Sequence, residues 1–206
     1  MKSPETKSAR KTVVTREAIL EATKAVLRER GYAGLSTRDV AAVANMPMSQ
    51  IHYHFGSKQG LILALFEYQN VQLLERQQSM FDDPNMPLSL QWKRACDYLD
   101  EDLESGYVRV LQELLAAGWS NPEIAHVVRE GLEGWNSLLV EIARRAEKRF
   151  GSLGGFKAEE LGTLVGMSFI GAESFILSGV ESRKFPVRKA LRRVGEIIRN
   201  LEKQSI

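Results

Sequence analysis

Apolar residues recur along this chain at the three- and four-residue intervals of an amphipathic helix, and no run alternates with polar residues over the length of a strand. Ile19, Ala22, Val26 and Leu27 make the first stripe, with Thr15 as its expected N-cap and Gly31 as its stop. Two short helices are predicted between Ser36 and Phe55, sharing an inward face of Val40, Ala41, Ala44, Ile51 and Phe55. Ser57 is placed to cap a fourth helix that starts at Lys58 and runs towards Met80 through Leu61, Leu65, Phe66 and Leu73. The run Asp82-Asp83-Pro84-Asn85-Met86-Pro87 ends it. Five more helices are predicted at about 87–104, 107–118, 122–149, 158–179 and 186–203, separated by glycine, proline and asparagine breaks. The pattern gives an all-α chain: a three-helix head, a linking helix and a helical bundle.

The turn between the two short helices is legible residue by residue. Asn45 tolerates the left-handed conformation needed just past a helix end. Met46 precedes a proline and must leave helical geometry. Pro47 suits the first position of the next helix, where its missing N–H has no intrahelical partner. Helix, tight turn, helix is the arrangement that lays side chains in a DNA major groove, here over about residues 36–55.

Charge strengthens that reading. Residues 1–60 hold ten Lys and Arg against five acids, a balance of +5, while the remainder has 18 basic and 21 acidic residues, or −3. A basic head on a mildly acidic body suits a polyanion partner at one end. Residues 1–14, with Lys2, Lys7, Arg10 and Lys11, show no apolar periodicity and are expected to form a basic flexible arm able to follow phosphates. Cys96 is the only cysteine, so no internal disulfide is possible and a reducing, cytoplasmic home is expected; the polar first fifteen residues do not resemble a secretory signal. Leu161 to Gly179 is nearly long enough to span a bilayer, but its glycines, serines and Glu173 predict a bundle helix, with no membrane partner.

Residues 15–66 resemble the TetR-type family of bacterial repressors at Thr37, Val40, Ala41, Ala44, Ile51, His54, Phe55, Lys58 and Leu61. Asn45, Met46, Pro47 and His52 stand where the family pattern has glycine, valine, serine and tyrosine. The resemblance implies a DNA-binding domain at 15–60 and a ligand-binding and dimerisation domain at 61–206. It implies a homodimer through about 158–179 and 186–203, an inverted-repeat double-stranded operator, and a small-molecule inducer acting through the fourth helix. The expected DNA contacts are Thr37, Arg38, Pro47, Met48, Ser49, Gln50, His52, Tyr53, His54 and Lys58. Gln50 has the amide geometry for adenine and Arg38 the fork for guanine. Met48 and Ser49 suit close apolar contacts, and His52 can bond a base or, protonated, a phosphate. Tyr53, His54, Lys58 and Thr37 suit phosphates.

In the body, Trp92, Cys96, Leu99, Leu103, Leu111, Glu113, Leu115, Trp119, Trp135, Leu139, Met167, Phe169 and Glu173 are the candidate ligand lining. At these spacings ordinary core is the competing interpretation of each apolar member. Glu113 and Glu173 interrupt apolar helices, where an unpaired carboxylate is costly, so each is expected to meet a cationic ligand or pair with an arginine such as Arg109 or Arg144. No cofactor or metal is expected. His52 and His54 lie two apart on a helix and cannot share an ion, and no catalytic motif organises Cys96 or His126. The alternatives are an architectural DNA binder without a sensing cavity and, more remotely, an all-helical enzyme.

Overall fold

The computed structural model describes residues 7–83 and 85–204. Among them are nine helices and no strand: α1 (Lys7–Gly34), α2 (Thr37–Val43), α3 (Met48–Phe55), α4 (Lys58–Phe81), α5 (Leu88–Ser105), α6 (Tyr107–Gly118), α7 (Pro122–Phe150), α8 (Ala158–Leu177) and α9 (Val187–Gln204). The all-α expectation holds, and the five body helices fall within two residues of their predicted ends.

The first helix departs from expectation. It is already formed at Lys7, so Thr15 lies inside it rather than capping it. Residues 7–14, half of the expected arm, extend α1; residues 1–6 lie outside the described residues. The reason is that Ala9, Arg10 and Lys11 are good helix formers, and a helix nucleated by the packed Ile19 and Leu20 propagates cheaply through them. Gly31, with φ 69° and ψ 176°, kinks the helix where its stop was expected.

Ser36 caps α2, accepting from the Asp39 amide, while Asp39 accepts from the Ser36 hydroxyl and pairs with Arg30 of α1 at 2.7 Å. Asn45 is the one positive-φ residue other than glycine among the described residues, at 51°. Pro47 is the N-cap of α3 rather than its first helical residue, because its ψ of 141° is extended although its φ of −60° would suit either position. Ser57 caps α4 through the Gly60 amide as expected. A Cβ on Gly60 would lie 2.2 Å from the Phe55 carbonyl oxygen, so glycine lets α4 turn tightly under α3.

One apolar core runs from Ile19, Val40, Ile51 and Phe55 in the head through Leu61, Leu65 and Phe66 of α4 to Val108, Leu114 and Val128 of α6 and α7. A second joins α5, α8 and α9 at Cys96, Leu99, Phe169, Ala172 and Leu191. Gly162 and Gly166 seat α8 against α7 within the chain: their Cβ atoms would lie 2.9 Å from Val140 and 3.3 Å from Leu139. On α8 and α9, Ala172 and Leu191 are buried inside, while Leu164, Phe175 and Leu201 are exposed together with Met167 and Ile197.

Candidate nucleic-acid interface and effector cavity

α3 is amphipathic in the way a reading helix requires. Ile51 and Phe55 bury it in the head core, and Pro47, Met48, Ser49, Gln50, His52 and Tyr53 lie outside, Tyr53 at 79% exposure. The His52 Nδ1 lies 3.1 Å from the Gly56 carbonyl. A carbonyl only accepts, so Nδ1 carries the proton and the neutral ring presents Nε2 as an acceptor. His54 is half-buried against Tyr53 and Phe55. Arg38 is exposed and Thr37 half-buried on α2. Lys58 is engaged inside the head: its ammonium donates to the Tyr32 carbonyl at 2.9 Å and sits 4.8 Å over the Tyr32 ring. Arg16, which the sequence did not single out, stacks on Phe55 at 5.5 Å and adds positive charge behind α3.

The body encloses two adjoining spaces. The smaller, about 50 Å³, lies between α4, α5, α6, α7 and α8; the larger, about 490 Å³, lies between α5, α7, α8 and α9 and is walled almost wholly by apolar side chains. Phe81, Ala95, Leu139 and Phe169 line both. Phe169 stands between Trp92, at 5.6 Å, and Trp135, at 6.3 Å. Trp92 is fixed by its indole N–H donating to the Leu191 carbonyl, and Trp135 by donating to Gln77 of α4 at 2.9 Å.

Of the expected lining, Leu99, Leu111, Trp135, Leu139, Phe169 and Glu173 line the smaller space, and Trp92, Leu139 and Phe169 the larger. The rest sit elsewhere. Trp119 is 88% exposed at the end of α6, and Met167 is 61% exposed on the outer face of α8. Cys96 is 3% exposed in the second core, its thiol pushed up to about 11 by burial, which removes it as a nucleophile near neutral pH. Leu103 and Leu115 pack on the core without reaching either space. Glu113 faces the junction of head and body, where burial raises its pKa against the opposing charges of Arg109 and Lys58. Arg144 pairs instead with Glu159. His126 is exposed beside Glu130, on a different helix from Cys96.

Sequence reasoning missed the α4 wall. Phe66, Asn70, Leu73, Gln77 and Phe81 form one stripe of α4 and all line the smaller space. The available signal was the pair of amides, Asn70 and Gln77, set into an otherwise apolar stripe. Asn70 accepts from the Tyr107 hydroxyl at 3.0 Å, and Tyr107 stacks on Phe66. Gly131 of α7 admits the Phe66 ring, which a Cβ there would meet at 2.9 Å.

A helix-turn-helix with an exposed outer face, set on a helical body by a helix that also walls a cavity, is an arrangement suited to a DNA-binding regulator. Residues 19–65 match the family model described as bacterial regulatory proteins, tetR family. The HTH-type transcriptional regulator CymR of Pseudomonas putida is 37% identical over 68 residues, 33% of this chain and 34% of that protein. The chain thus spans about a third of the length of the curated relative it matches. The fold is similar over most of its length to a transcriptional regulator from Saccharomonospora viridis in complex with choline, with TM-score 0.76, 21% identity, and 89% and 96% of the two chains covered. It is similar also to a TetR-family regulator from Pectobacterium atrosepticum, with TM-score 0.66, 25% identity, and 96% and 97% covered. Residues 19–65 thus carry the DNA-binding segment of the TetR-type bacterial regulatory proteins, and the fold of the chain is similar to that of solved TetR-family regulators.

Proposed function

We propose that the chain is a dimeric, ligand-responsive repressor that reads an inverted-repeat operator in the cytoplasm and lets go when a small molecule fills the body. The observation that carries this reading is the double duty of α4. Its first turn lies under α3, with Gly60 against the Phe55 carbonyl, and its residues 66–81 wall the cavity. Anything that displaces that wall turns the reading helix with it. The exposed apolar stripe of Leu164, Met167 and Phe175 on α8, beside Ile197 and Leu201 on α9, supports pairing of two copies through these helices. Residues 15–60 would then be the reading domain and 61–206 the sensing and pairing domain. The Saccharomonospora viridis regulator, similar in fold, was solved in complex with choline, a small organic molecule.

Gln50 is assigned to adenine readout, Arg38 to guanine, and the exposed Pro47, Met48 and Ser49 to the groove floor. Thr37, Tyr53 and His54 are assigned to phosphates, and His52 presents its Nε2 to a base donor or, protonated, to a phosphate. Selection of bound sequences from a random duplex pool tests the reading. An enriched half-site repeated in inverted orientation is expected. Equal recovery of all sequences at fixed salt would point to an architectural binder and overturn it.

A further inference from the structure

The two spaces in the body differ in chemistry, and the difference describes a ligand. The smaller holds two carboxylates, only one of which has a counter-ion. Asp102 receives both its hydrogen bonds from the Arg76 guanidinium, at 2.9 and 2.8 Å. Glu173 is 8% exposed, and its one hydrogen bond comes from the neutral amide of Gln112 at 3.1 Å. Gln112 cannot swing away to be replaced by a cation of the protein, because it is pinned to the Ile170 carbonyl at 3.2 Å and the Ser174 hydroxyl at 2.6 Å. No lysine, arginine or histidine forms an ion pair with Glu173 among the described residues. Burial accordingly pushes its pKa up to about 7.

Around that carboxyl the walls are rings: Phe66, Tyr107, Trp135 and Phe169. Ring faces attract a positive charge and repel an anion, and they suit the alkyl shell of an ammonium better than the hydration shell of a metal ion. Past Phe169 the larger space is walled by side chains such as Leu139, Ile142, Val165, Val194 and Ile198. Its volume lies in the range of drug-sized pockets. It also holds an unmatched acceptor: Gln91 is 4% exposed, lines this space, and leaves its Oε1 without a partner.

We propose that the body takes an amphipathic organic cation, an amine or quaternary ammonium carrying a hydrocarbon or aryl body. The charge sits against Glu173 among the rings, and the apolar part passes Phe169 into the space between α5, α7, α8 and α9. This assignment rests on the proposed reading of the body as a sensing domain, but it is tested apart from DNA. An anion of the same shape faces Glu173 without a counter-charge. A neutral ligand leaves the carboxyl as it found it.

Trp92 and Trp135 flank Phe169, so their fluorescence reports occupancy. The test titrates the full chain with octyltrimethylammonium, octanol and octyl sulfate below their micelle concentrations. The cation is expected to saturate the signal with at least tenfold higher affinity than octanol, and octyl sulfate to bind more weakly than either. In Glu173→Gln, with folding checked by thermal unfolding, the cation's advantage over octanol is expected to vanish. Octanol or octyl sulfate binding as tightly as the cation, no saturation by the cation, or a preference that survives Glu173→Gln would overturn the proposal. Operator affinity is read separately. Saturable cation binding that leaves it unchanged would keep the site and overturn the repressor reading. Release of DNA by octanol as effectively as by the cation would keep the repressor and overturn the ligand class.

Discussion

Gln50 stands on the outer side of α3, two positions ahead of His52 and clear of the core residue Ile51. If it reads adenine, Gln50→Ala should relax preference at one base pair per half-site and cost about 1–3 kcal/mol on the selected operator. Uniform weakening on every duplex would remove it from base readout. Lys58 carries the family pattern yet spends its ammonium on Tyr32. Lys58→Ala is therefore expected to lower the urea-unfolding stability by roughly 1.5–3 kcal/mol, the range for a hydrogen bond involving a charged group. An unchanged stability with a shallower salt dependence of DNA binding would make it a phosphate contact instead. Glu173 gives a pH signature. The folded protein holds its proton up to about pH 7, while the unfolded chain releases it near the ordinary carboxylate value of 4.5. Its neighbour Asp102 raises the value further, and Arg76 is already committed to Asp102. This group therefore lowers stability as pH rises from about 4.5 through 7, by up to roughly 3 kcal/mol. Glu173→Gln should remove that slope and stabilise the protein at pH 8, measured by urea unfolding at pH 5 and pH 8. A variant less stable than the parent at pH 8 would mean the carboxylate is structurally satisfied.

At the scale of elements, the sequence specified what local chemistry specifies. The turn at Asn45 and the cap at Ser57 follow from single residues with few alternatives, and both are found. The ends of the five body helices follow from glycines, prolines and Asn121, whose side chain accepts from Glu123 and Ile124 at the start of α7. What could not be read is which neighbour covers a given apolar side chain. Trp119 and Met167 have the residue types of a cavity wall, but their positions on the helix turn them outward. The α4 stripe looked like linker core because its covering helices, α6 and α7, come far later in the chain; the Tyr107 hydroxyl reaches Asn70 from 37 residues on. Gly60 tests the seat of α4 directly. Gly60→Ala drives a Cβ into the Phe55 carbonyl, a backbone atom that cannot give, so a loss of at least about 2 kcal/mol is expected, with loss of operator binding. Retained operator affinity would show that α4 need not lie this close under α3.

For the whole molecule, two relations matter: between copies of the chain, and between head and cavity within one copy. Met167→Glu with Phe175→Glu places charge in the exposed α8 stripe and is expected to give monomers in sedimentation equilibrium, with weak operator binding. A persistent dimer would put the interface elsewhere. Within one copy, the head core continues without a break into α6 and α7, so a displacement of the α4 wall is carried into the head through shared packing. The most direct test is the distance between spin labels at Tyr53→Cys in the two subunits. Cys96 is buried with a raised pKa and will not compete for the label. The operator complex should give one narrow distance set by half-sites about one duplex turn, roughly 34 Å, or a multiple of it apart. The free dimer saturated with octyltrimethylammonium, its occupancy fixed by tryptophan fluorescence, should give a displaced distance. The same distance with the cavity full as on the operator would contradict the coupling of cavity to reading helix through α4.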